Sequence, residues 1–238
     1  MRFSNKRVIV TGASRGIGLA IAEAFRSEGA WVIGTRTGAG DAESDVCQEW
    51  IQADFSELSQ IEDCAAKIRE SDANILVNNA GINKIAPFLE IKTIDFLKIH
   101  QVNVLAPLLL SQAAIPAMLK TGWGRIINIS SIWGIKSREQ RAAYTASKFA
   151  IDGLTVSLAA EFSQNGILAN SIAPGFIDTE LTHRILGADG IRKILERIPA
   201  NRLGSSDEVA RLAIFLSSEE NSYITGQNLV IDGGFSRV

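Results

Sequence analysis

The sequence alternates short apolar segments rich in Val and Ile with longer segments whose apolar residues recur at helical spacing. Strands are predicted over residues 7–11, 30–34, 49–53, 73–77, 124–129, 168–173 and 228–231, and helices over 16–27, 58–69, 101–120, 142–164 and 206–217. Uninterrupted apolar strands are buried on both faces, which together with intervening helices indicates a parallel sheet. We therefore expect an α/β fold, a doubly wound parallel sheet with helices on both faces, which binds ligands at the carboxyl ends of its strands.

The length and charge of the chain limit its class. A chain of 238 residues with 46% apolar residues is predicted to form a single domain over 1–238. A net charge of −2 argues against a nucleic-acid partner. Two cysteines, Cys47 and Cys64, and two histidines fit free thiols and no metal site. Prolines interrupt the most apolar segment, 102–119, which predicts a buried helix and no membrane span, and we expect a cytoplasmic protein without a signal peptide.

A glycine-rich loop, TGASRGIG at 11–18, joins the first predicted strand to the first predicted helix. Gly12 and Gly18 would let the backbone approach a pyrophosphate, and Ser14, Arg15 and Ile17 would lie at the helix N-terminus, whose free N–H groups attract phosphates. The spacing differs from both the GxGxxG fingerprint and the P-loop. The alternative is a tight turn that binds no ligand, but the position of the loop between the first strand and the first helix predicts a Rossmann-like dinucleotide site.

The end of the second strand bears on the choice of cofactor. An acidic residue there usually holds the ribose diol of NAD, whereas this sequence has Arg36 and Thr37 and no acid before Asp41. Arg15 could reach the same place, and guanidinium groups suit a 2′-phosphate. NADP is therefore favoured over NAD, the alternative being that Arg36 is a solvated loop residue.

Tyr144 and Lys148 are four residues apart on a predicted helix and so share one face. We expect the Lys148 ammonium to lower the pKa of the Tyr144 phenol and make it a usable acid–base group. Ser131 follows the strand 124–129, where its hydroxyl could bind a substrate oxygen. A Tyr-x-x-x-Lys pair alone is most often a surface feature without a function. Together with Ser131 and a glycine loop earlier in the chain, the pair indicates a catalytic site.

Taken in order, TGASRGIG (11–18), NNAG (78–81), Asn103, Ser131, Tyr144-x-x-x-Lys148 and Pro174-Gly175 resemble the classical short-chain dehydrogenase/reductase family over essentially the whole chain. The resemblance implies that Tyr144 is the general acid–base, that Ser131 polarises the carbonyl, and that Lys148 also holds the nicotinamide ribose. It implies that Asn103 holds a water in a proton relay, where a polar residue at a helix kink is the alternative. The further cofactor contacts that it implies are Asp54 and Phe55 near the adenine, Asn79, Ala80 and Gly81 on the ribose side, and Ile177 and Thr179 at the carboxamide.

Within the family, the chain is most similar to β-ketoacyl-acyl-carrier-protein reductases, which implies an acyl-thioester substrate and acyl-carrier protein as a possible partner. Arg125 matches one arginine of their docking pair, whereas Asn165 stands at the other. The segment 132–143 departs from their pattern, and Trp133 and Arg141 are expected to face the substrate. The segment 132–143 has a net charge of +2, from three basic residues and one acid, which suits an anionic or sugar-like substrate. The alternative is that these charged residues lie on a solvated surface. A non-catalytic NADP sensor is a further alternative, disfavoured by the complete catalytic set.

Two expectations concern the rest of the chain. Residues 178–198 are predicted to form a substrate lid with helical pieces at 182–186 and 191–197, a static helix pair being the alternative. The helices 101–120 and 142–164 are apolar enough to pack against a second copy, as in the family, which is usually dimeric or tetrameric.

Overall fold

The computed structural model describes residues 1–38 and 45–238. Its sheet has seven strands, all paired in parallel in the order β3-β2-β1-β4-β5-β6-β7. The strands are β1 Arg7–Val10, β2 Trp31–Arg36, β3 Glu49–Gln52, β4 Ile75–Asn78, β5 Gly124–Ile129, β6 Ile167–Pro174 and β7 Asn228–Ile231. The chain reverses its direction of strand addition between β1 and β4, and ligands bind at such a switch point. The predicted fold class is confirmed.

Seven α-helices are described: α1 Gly16–Ser27, α2 Leu58–Glu70, α3 Thr93–His100, α4 Ala106–Thr121, α5 Ala142–Phe162, α6 Glu180–Leu195 and α7 Ser206–Ser217. Side chains alternate across β1, so that Val8 and Val10 join the core under α1 and α7 while Ile9 joins the core under α2 and α4. Each layer buries large residues, such as Phe25 on one face and Met118 on the other. This double burial explains why the strands are apolar without alternation.

The predicted helix 101–120 is wrong at its start. α3 precedes it, and a π-helical turn at Gln101–Leu105 joins α3 to α4. In α3 Ile99 is buried, whereas Ile94, Phe96 and Leu97 are exposed, so the burial of this helix does not follow its apolar residues. Pro107 contributes to the irregular turn, because it has no N–H to donate to the carbonyl four residues earlier.

The combined helical run Thr93–Thr121 is long and apolar enough, by length and composition, to cross a membrane. However, 56% of its most apolar window is buried inside the protein. Leu110, Ala114 and Met118 pack against the sheet. The run therefore occupies the position of a core helix, as the sequence predicted for 102–119.

The segment 178–198 forms α6, which changes direction at Gly187, where φ is +63° and ψ is 175°. The break separates two helical pieces, close to those predicted at 182–186 and 191–197. Ile194 and Ile198 anchor the second piece in a small cluster with Trp133 and Phe235, whereas Leu181 and Ile185 of the first piece are exposed. The first piece is thus held by fewer buried contacts than the second.

Candidate active site

The glycine loop is tied to the strand beside it. Thr11 accepts hydrogen bonds from the backbone N–H groups of Asn79 and Ala80, each at 2.9 Å. In return, the Asn79 amide donates to the carbonyls of Thr11 at 2.8 Å and Gly12 at 3.2 Å. Thr35 of β2 fixes the other side by accepting from the Gly12 N–H at 3.0 Å. The loop and residues 79–80 therefore form one rigid wall at the β1/β4 switch point.

The shape of this wall fits a dinucleotide. Gly12 has a φ of +64°, and a Cβ on Gly18 would overlap the Gly12 carbonyl and the Asn79 amide. Arg15 precedes α1 without capping it, and the first turn of α1 holds no acidic residue. The N–H groups at this helix N-terminus are therefore free of a side-chain partner and able to meet a pyrophosphate.

The residues expected around the adenosine lie at neighbouring strand ends. Arg36 ends β2 and lies over the Trp50 ring at 5.1 Å from its centroid, and Thr37 is exposed beside it. Ser14 and Arg15 are exposed on the glycine loop.

Asp54 and Phe55, the residues expected near the adenine, follow β3. The Asp54 carboxylate accepts a hydrogen bond from the Ser56 N–H at 2.9 Å, which lowers the pKa of Asp54. Asp41, the first acidic residue after Arg36 in the sequence, lies outside the described residues.

Ser131 and Tyr144 come together beyond the end of β5. Ser131 is buried, begins the 3₁₀ turn Ile132–Gly134 and accepts from the Trp133 N–H at 3.2 Å. Tyr144 lies in the first turn of α5. Burial raises the pKa of Tyr144 to about 12, while a hydrogen bond from Ser131 and the charge of Arg141 act to lower it. At neutral pH the phenol is therefore protonated and able to donate.

Lys148 lies one turn after Tyr144, with its Nζ 5.5 Å from the centre of the tyrosine ring. The Nζ donates to the Ile129 carbonyl at 2.7 Å, and burial lowers the pKa of Lys148 to about 8. Ser131 and Arg141 act to lower the pKa of Tyr144, and the expected contribution of Lys148 to that pKa stays a prediction. A Cβ on Gly81 would lie 3.7 Å from the Lys148 Nζ, so the lysine borders the same cleft as residues 79–81.

Asn103 lies on the π-helical turn and is buried. Its side chain forms a two-way bond with Ile82, donating to the carbonyl and accepting from the N–H, both at 2.9 Å, and it also donates to Ser147 at 3.0 Å. Asn103 thus locks the loop after β4 onto α5, next to Lys148. Asn103 therefore lies at a helix irregularity, in agreement with the alternative of a polar residue at a helix kink. Its role in a water relay stays a prediction.

The buried charge of Lys148 makes a stability prediction possible. Below pH 8 the lysine is protonated in both the folded and unfolded states, so the folded state carries the full cost of the buried charge. Between pH 8 and 10.5 the unfolded state holds a proton that the folded state has lost, and stability rises with pH. We expect Lys148→Met to raise the free energy of unfolding at pH 7 by about 2 kcal/mol. This figure is the gain from removing the buried charge minus the loss of the hydrogen bond to the Ile129 carbonyl.

Urea unfolding at one protein concentration, at pH 7 and again near pH 10, measures this effect. The gain from Lys148→Met should shrink at the higher pH, because wild-type Lys148 is then neutral when folded. Lys67→Met, on the exposed side of α2, is the control and should change the free energy of unfolding by less than about 0.5 kcal/mol. A loss of stability in Lys148→Met at pH 7 would contradict the assignment.

Trp133 and Arg141 occupy different environments. Trp133 packs edge-on against Phe176 and Phe235 in the small cluster that also contacts Tyr144. Its ring helps to form the wall behind Tyr144, and its contact with substrate stays a prediction. Arg141 is 8% exposed, which rules out a solvated surface position for this residue. Arg138, by contrast, is exposed and pairs with Glu139 at 3.2 Å.

Ile177 and Thr179 lie between the cleft and the lid segment. Ile177 is buried and bridges to Gly204, and Thr179 caps α6 by accepting from the Thr182 N–H at 3.3 Å. A Cβ on Gly16 would lie 3.7 Å from the Thr179 methyl group, so the start of α6 faces the glycine loop. This is the arrangement expected if both residues border a bound nicotinamide.

Arg125 does not occupy the surface position expected for docking a carrier protein. It lies at the start of β5, at the end of the sheet opposite the cleft, and is 4% exposed. Its guanidinium donates to the carbonyls of Gly124, Gly166 and Asn221 at 2.8, 3.2 and 3.0 Å. Burial lowers its pKa to about 10. The residue is a buried structural tie, and this corrects the expectation.

Sequence reasoning assigned no role to three supporting residues, although one of them, Thr11, begins the glycine-rich motif. Thr11, Thr35 and Ser147 hold the glycine loop, residues 79–80 and Asn103 in place. Their hydroxyls have no pattern of their own, and only the contacts across the fold reveal them. Among residues 1–38 and 45–238, no group of three His, Cys, Asp or Glu side chains could hold a metal ion.

Comparison with known proteins agrees with this geometry. A family model described as enoyl-(acyl carrier protein) reductase matches residues 12–236. The chain is 40% identical to 3-oxoacyl-[acyl-carrier-protein] reductase FabG of Escherichia coli (strain K12) over 100% of both chains. Among solved structures, it is similar to a short chain dehydrogenase/reductase family protein, with a TM-score of 0.93 and 34% identity over 100% of both chains. It is also similar to a gluconate 5-dehydrogenase from Burkholderia cenocepacia J2315 in complex with NADP and tartrate, with a TM-score of 0.91 and 32% identity over 100% of this chain and 97% of that one.

Proposed function

We propose that this chain uses NADP(H) to interconvert a ketone and a secondary alcohol, with Tyr144 as the proton donor. The chain belongs to the short-chain dehydrogenase/reductase family and is an NAD(P)-dependent oxidoreductase acting on CH–OH groups. The observation that carries this proposal is the convergence of Ser131, Tyr144 and Lys148 beside the glycine loop. Those three side chains stand where the carboxyl ends of β4 and β5 meet.

The residues of the wall fit NADPH, which when bound supplies the hydride. The loop residues Gly12, Ser14, Arg15, Ile17 and Gly18 would hold the pyrophosphate. The other proposed contacts are Arg36 and Thr37 with Arg15 for the 2′-phosphate, Asp54 and Phe55 for the adenine, Asn79, Ala80 and Gly81 with Tyr144 and Lys148 for the nicotinamide ribose, and Ile177 and Thr179 for the carboxamide.

The chain's own residues move the proton. Ser131 would hold the substrate carbonyl oxygen, and Tyr144, protonated at neutral pH, would donate its proton to that oxygen as the C–O group becomes an alcohol. The charge of Arg141 would favour the resulting phenolate, and we propose that Lys148, whose Nζ lies 5.5 Å from the centre of the ring, favours it as well. A proton passed from Lys148, with Asn103 and a water behind it, would restore the phenol.

A cofactor prediction follows from the end of β2. Replacing Arg15 and Arg36 together with Ala should raise the Kd for NADPH at least about tenfold, because each cation contributes on the order of 1 kcal/mol to binding a 2′-phosphate. The Kd for NADH, which lacks that phosphate, should change less than about threefold. Fluorescence titration with both cofactors measures the two constants, and equal losses for both would contradict selection by these arginines.

A 3-oxoacyl thioester is the first candidate substrate, supported by the 40% identity to the Escherichia coli reductase over the full chain. The test is the rate of NADPH oxidation with acetoacetyl thioesters, comparing the carrier-protein-bound form with the free thioester and NADPH with NADH. Efficient turnover of the carrier-bound form would support this substrate despite the burial of Arg125. Turnover of neither form, with NADPH binding retained, would reject it.

A polar or anionic ketone is the second candidate substrate. The buried position of Arg125 removes one expected docking charge, and Arg141 places a cation near Tyr144. The similar structure with NADP and tartrate is a gluconate 5-dehydrogenase, which supports a sugar-acid class for this candidate. A pure sensor role is disfavoured by the complete set of Asn103, Ser131, Tyr144 and Lys148.

A homo-oligomer, dimer or tetramer, is proposed from the outer faces of α4 and α5. These helices enclose an apolar groove, and Leu119, Phe149 and Val156 are 41–51% exposed beside it. A second copy would cover this surface. Light scattering should give a mass above one chain for the wild type and a smaller assembly for the variant Phe149→Glu/Val156→Glu; an unchanged mass would reject this face as the contact.

Two further expectations belong to this proposal. The segment 178–198 would close over the cleft as a lid hinged at Gly187, where the backbone breaks between the anchored and the exposed piece. The protein would act in the cytoplasm, where the buried free thiols of Cys47 and Cys64 fit a reducing environment.

A further inference from the structure

We infer that Arg141 binds an anionic group of the substrate, so that the preferred substrates are ketones bearing a carboxylate or phosphate, or the corresponding hydroxy acids. This inference rests on the proposed function, because it concerns the same cleft. It assigns the acid-binding part of the substrate site to one side chain.

Arg141 is buried beside the proton donor. It immediately precedes α5, three residues before Tyr144, and its positive charge acts on the tyrosine hydroxyl. The residue is more than nine-tenths buried. Within residues 1–38 and 45–238, no carbonyl, hydroxyl or carboxylate accepts a hydrogen bond from its guanidinium, and no acid pairs with it.

Because the guanidinium nitrogens of Arg141 have no partner among the described residues and none of them is fully buried, they keep some contact with solvent and can be reached by a ligand. Arg125 shows how this chain binds a buried arginine that serves structure: three backbone carbonyls accept from its two terminal nitrogens, and its Nε has no partner in the described part of the chain. Arg141 has no such set, although both side chains are similarly buried. An acidic group on the substrate would supply the missing acceptor, and a carboxylate or phosphate can take two N–H bonds at once.

The surrounding charges favour the same ligand class. Burial lowers the pKa of Arg141, and repulsion by the charge of Arg138 lowers it further. Lys136 and Arg197 lie 5.0 and 5.3 Å from the centre of the Phe235 ring, which packs on Trp133 next to Ser131. Glu139 is the one acid in the segment 132–143. The surroundings of Arg141 thus carry excess positive charge, which attracts anions and repels cations.

The test compares each acidic ketone with a neutral counterpart. The two pairs are acetoacetate with ethyl acetoacetate, and 5-keto-D-gluconate with D-fructose, so that the acid lies near the ketone in one pair and far from it in the other. The variants are Arg141→Gln, which removes the charge, Arg141→Lys, which keeps it, and Arg211→Gln, an exposed arginine on α7, as the matched control.

For the better acid, kcat/KM should fall at least about thirtyfold in Arg141→Gln, and for its neutral counterpart at most about fivefold, because the neutral ketone loses only the charge that favours the Tyr144 phenolate. Arg141→Lys should recover part of the loss, and Arg211→Gln should match the wild type. The Kd for NADPH should be unchanged in all variants. Equal losses on acid and neutral ketones, or a wild type that prefers the neutral ketones, would overturn the inference while leaving the proposed function standing.

A binding measurement separates this inference from the proposed function. Tartrate is titrated calorimetrically into the NADP-loaded protein, without any need for turnover. If the wild type reduces no ketone, the proposed function fails. Tartrate binding lost in Arg141→Gln but kept in Arg211→Gln would still support an anion site at Arg141. Tartrate affinity that is equal in wild type and Arg141→Gln, or absent from the wild type, would overturn it.

Discussion

Replacing Tyr144 with Phe is expected to lower kcat for ketone reduction by about 10³-fold, within the usual range for loss of a general acid. The phenol is protonated at neutral pH, because burial raises its pKa to about 12, and it stands beside the Ser131 hydroxyl. Phenylalanine keeps the ring that packs against the Trp133 cluster but has no proton to give. The protein should therefore stay folded while the chemical step fails.

Steady-state NADPH oxidation, together with fluorescence titration of NADPH, measures both halves of this result. The Kd for NADPH should change less than about threefold, because the glycine loop and Asn79 are untouched. Ser131→Ala should also reduce kcat, by about tenfold to a hundredfold, through the loss of one hydrogen bond to the carbonyl. If Tyr144→Phe kept wild-type turnover, another group would have to supply the proton.

Replacing Gly18 with Ala is the second change with a large expected effect. The added Cβ would overlap the Gly12 carbonyl and the Asn79 amide, and both belong to the rigid wall built around Thr11. Backbone cannot move aside as a flexible side chain does, so the loop must shift. We expect the free energy of unfolding to fall by about 1–3 kcal/mol, as for other overpacked sites, and the Kd for NADPH to rise at least about thirtyfold.

Glu23→Ala, on the exposed side of α1, is the matched control and should leave both quantities close to wild type. Urea unfolding and NADPH titration are to be made on the same preparations, so that a misfolded sample is recognised. Unchanged affinity for NADPH in a folded Gly18→Ala protein would show that the cofactor does not approach this part of the loop.

Much of the fold follows from local pattern. β1, β4 and β5 are buried on both faces, so each contains a short apolar run that does not alternate with polar residues, namely 8–10, 75–77 and 126–127. The site follows from position: the glycine loop, Ser131 and Tyr144 come after or beside strand ends, where a parallel sheet binds ligands. These parts of the chain carry their structural meaning in consecutive or helically spaced residues.

Long-range contacts account for what the sequence could not predict. Arg125 is buried because the carbonyls of Gly166 and Asn221, distant in sequence, meet its guanidinium. The Lys148 Nζ donates to the carbonyl of Ile129, and burial raises the pKa of Tyr144 while Ser131 and Arg141 act to lower it. In neither case do neighbouring residues along the chain specify the partner.

The central claim is that this cleft transfers a hydride to a carbonyl carbon while Tyr144 protonates the oxygen. The most direct measurement uses NADPH deuterated at the nicotinamide C4 position, with the best ketone or acetoacetyl thioester found, and mass spectrometry of the product alcohol. The account predicts that the wild type delivers one deuterium to the new carbinol carbon from one face of the cofactor, and that Tyr144→Phe does so about 10³-fold more slowly at matched protein concentration. An alcohol without deuterium from either face, or equal deuterium transfer by the Tyr144→Phe variant, would contradict it.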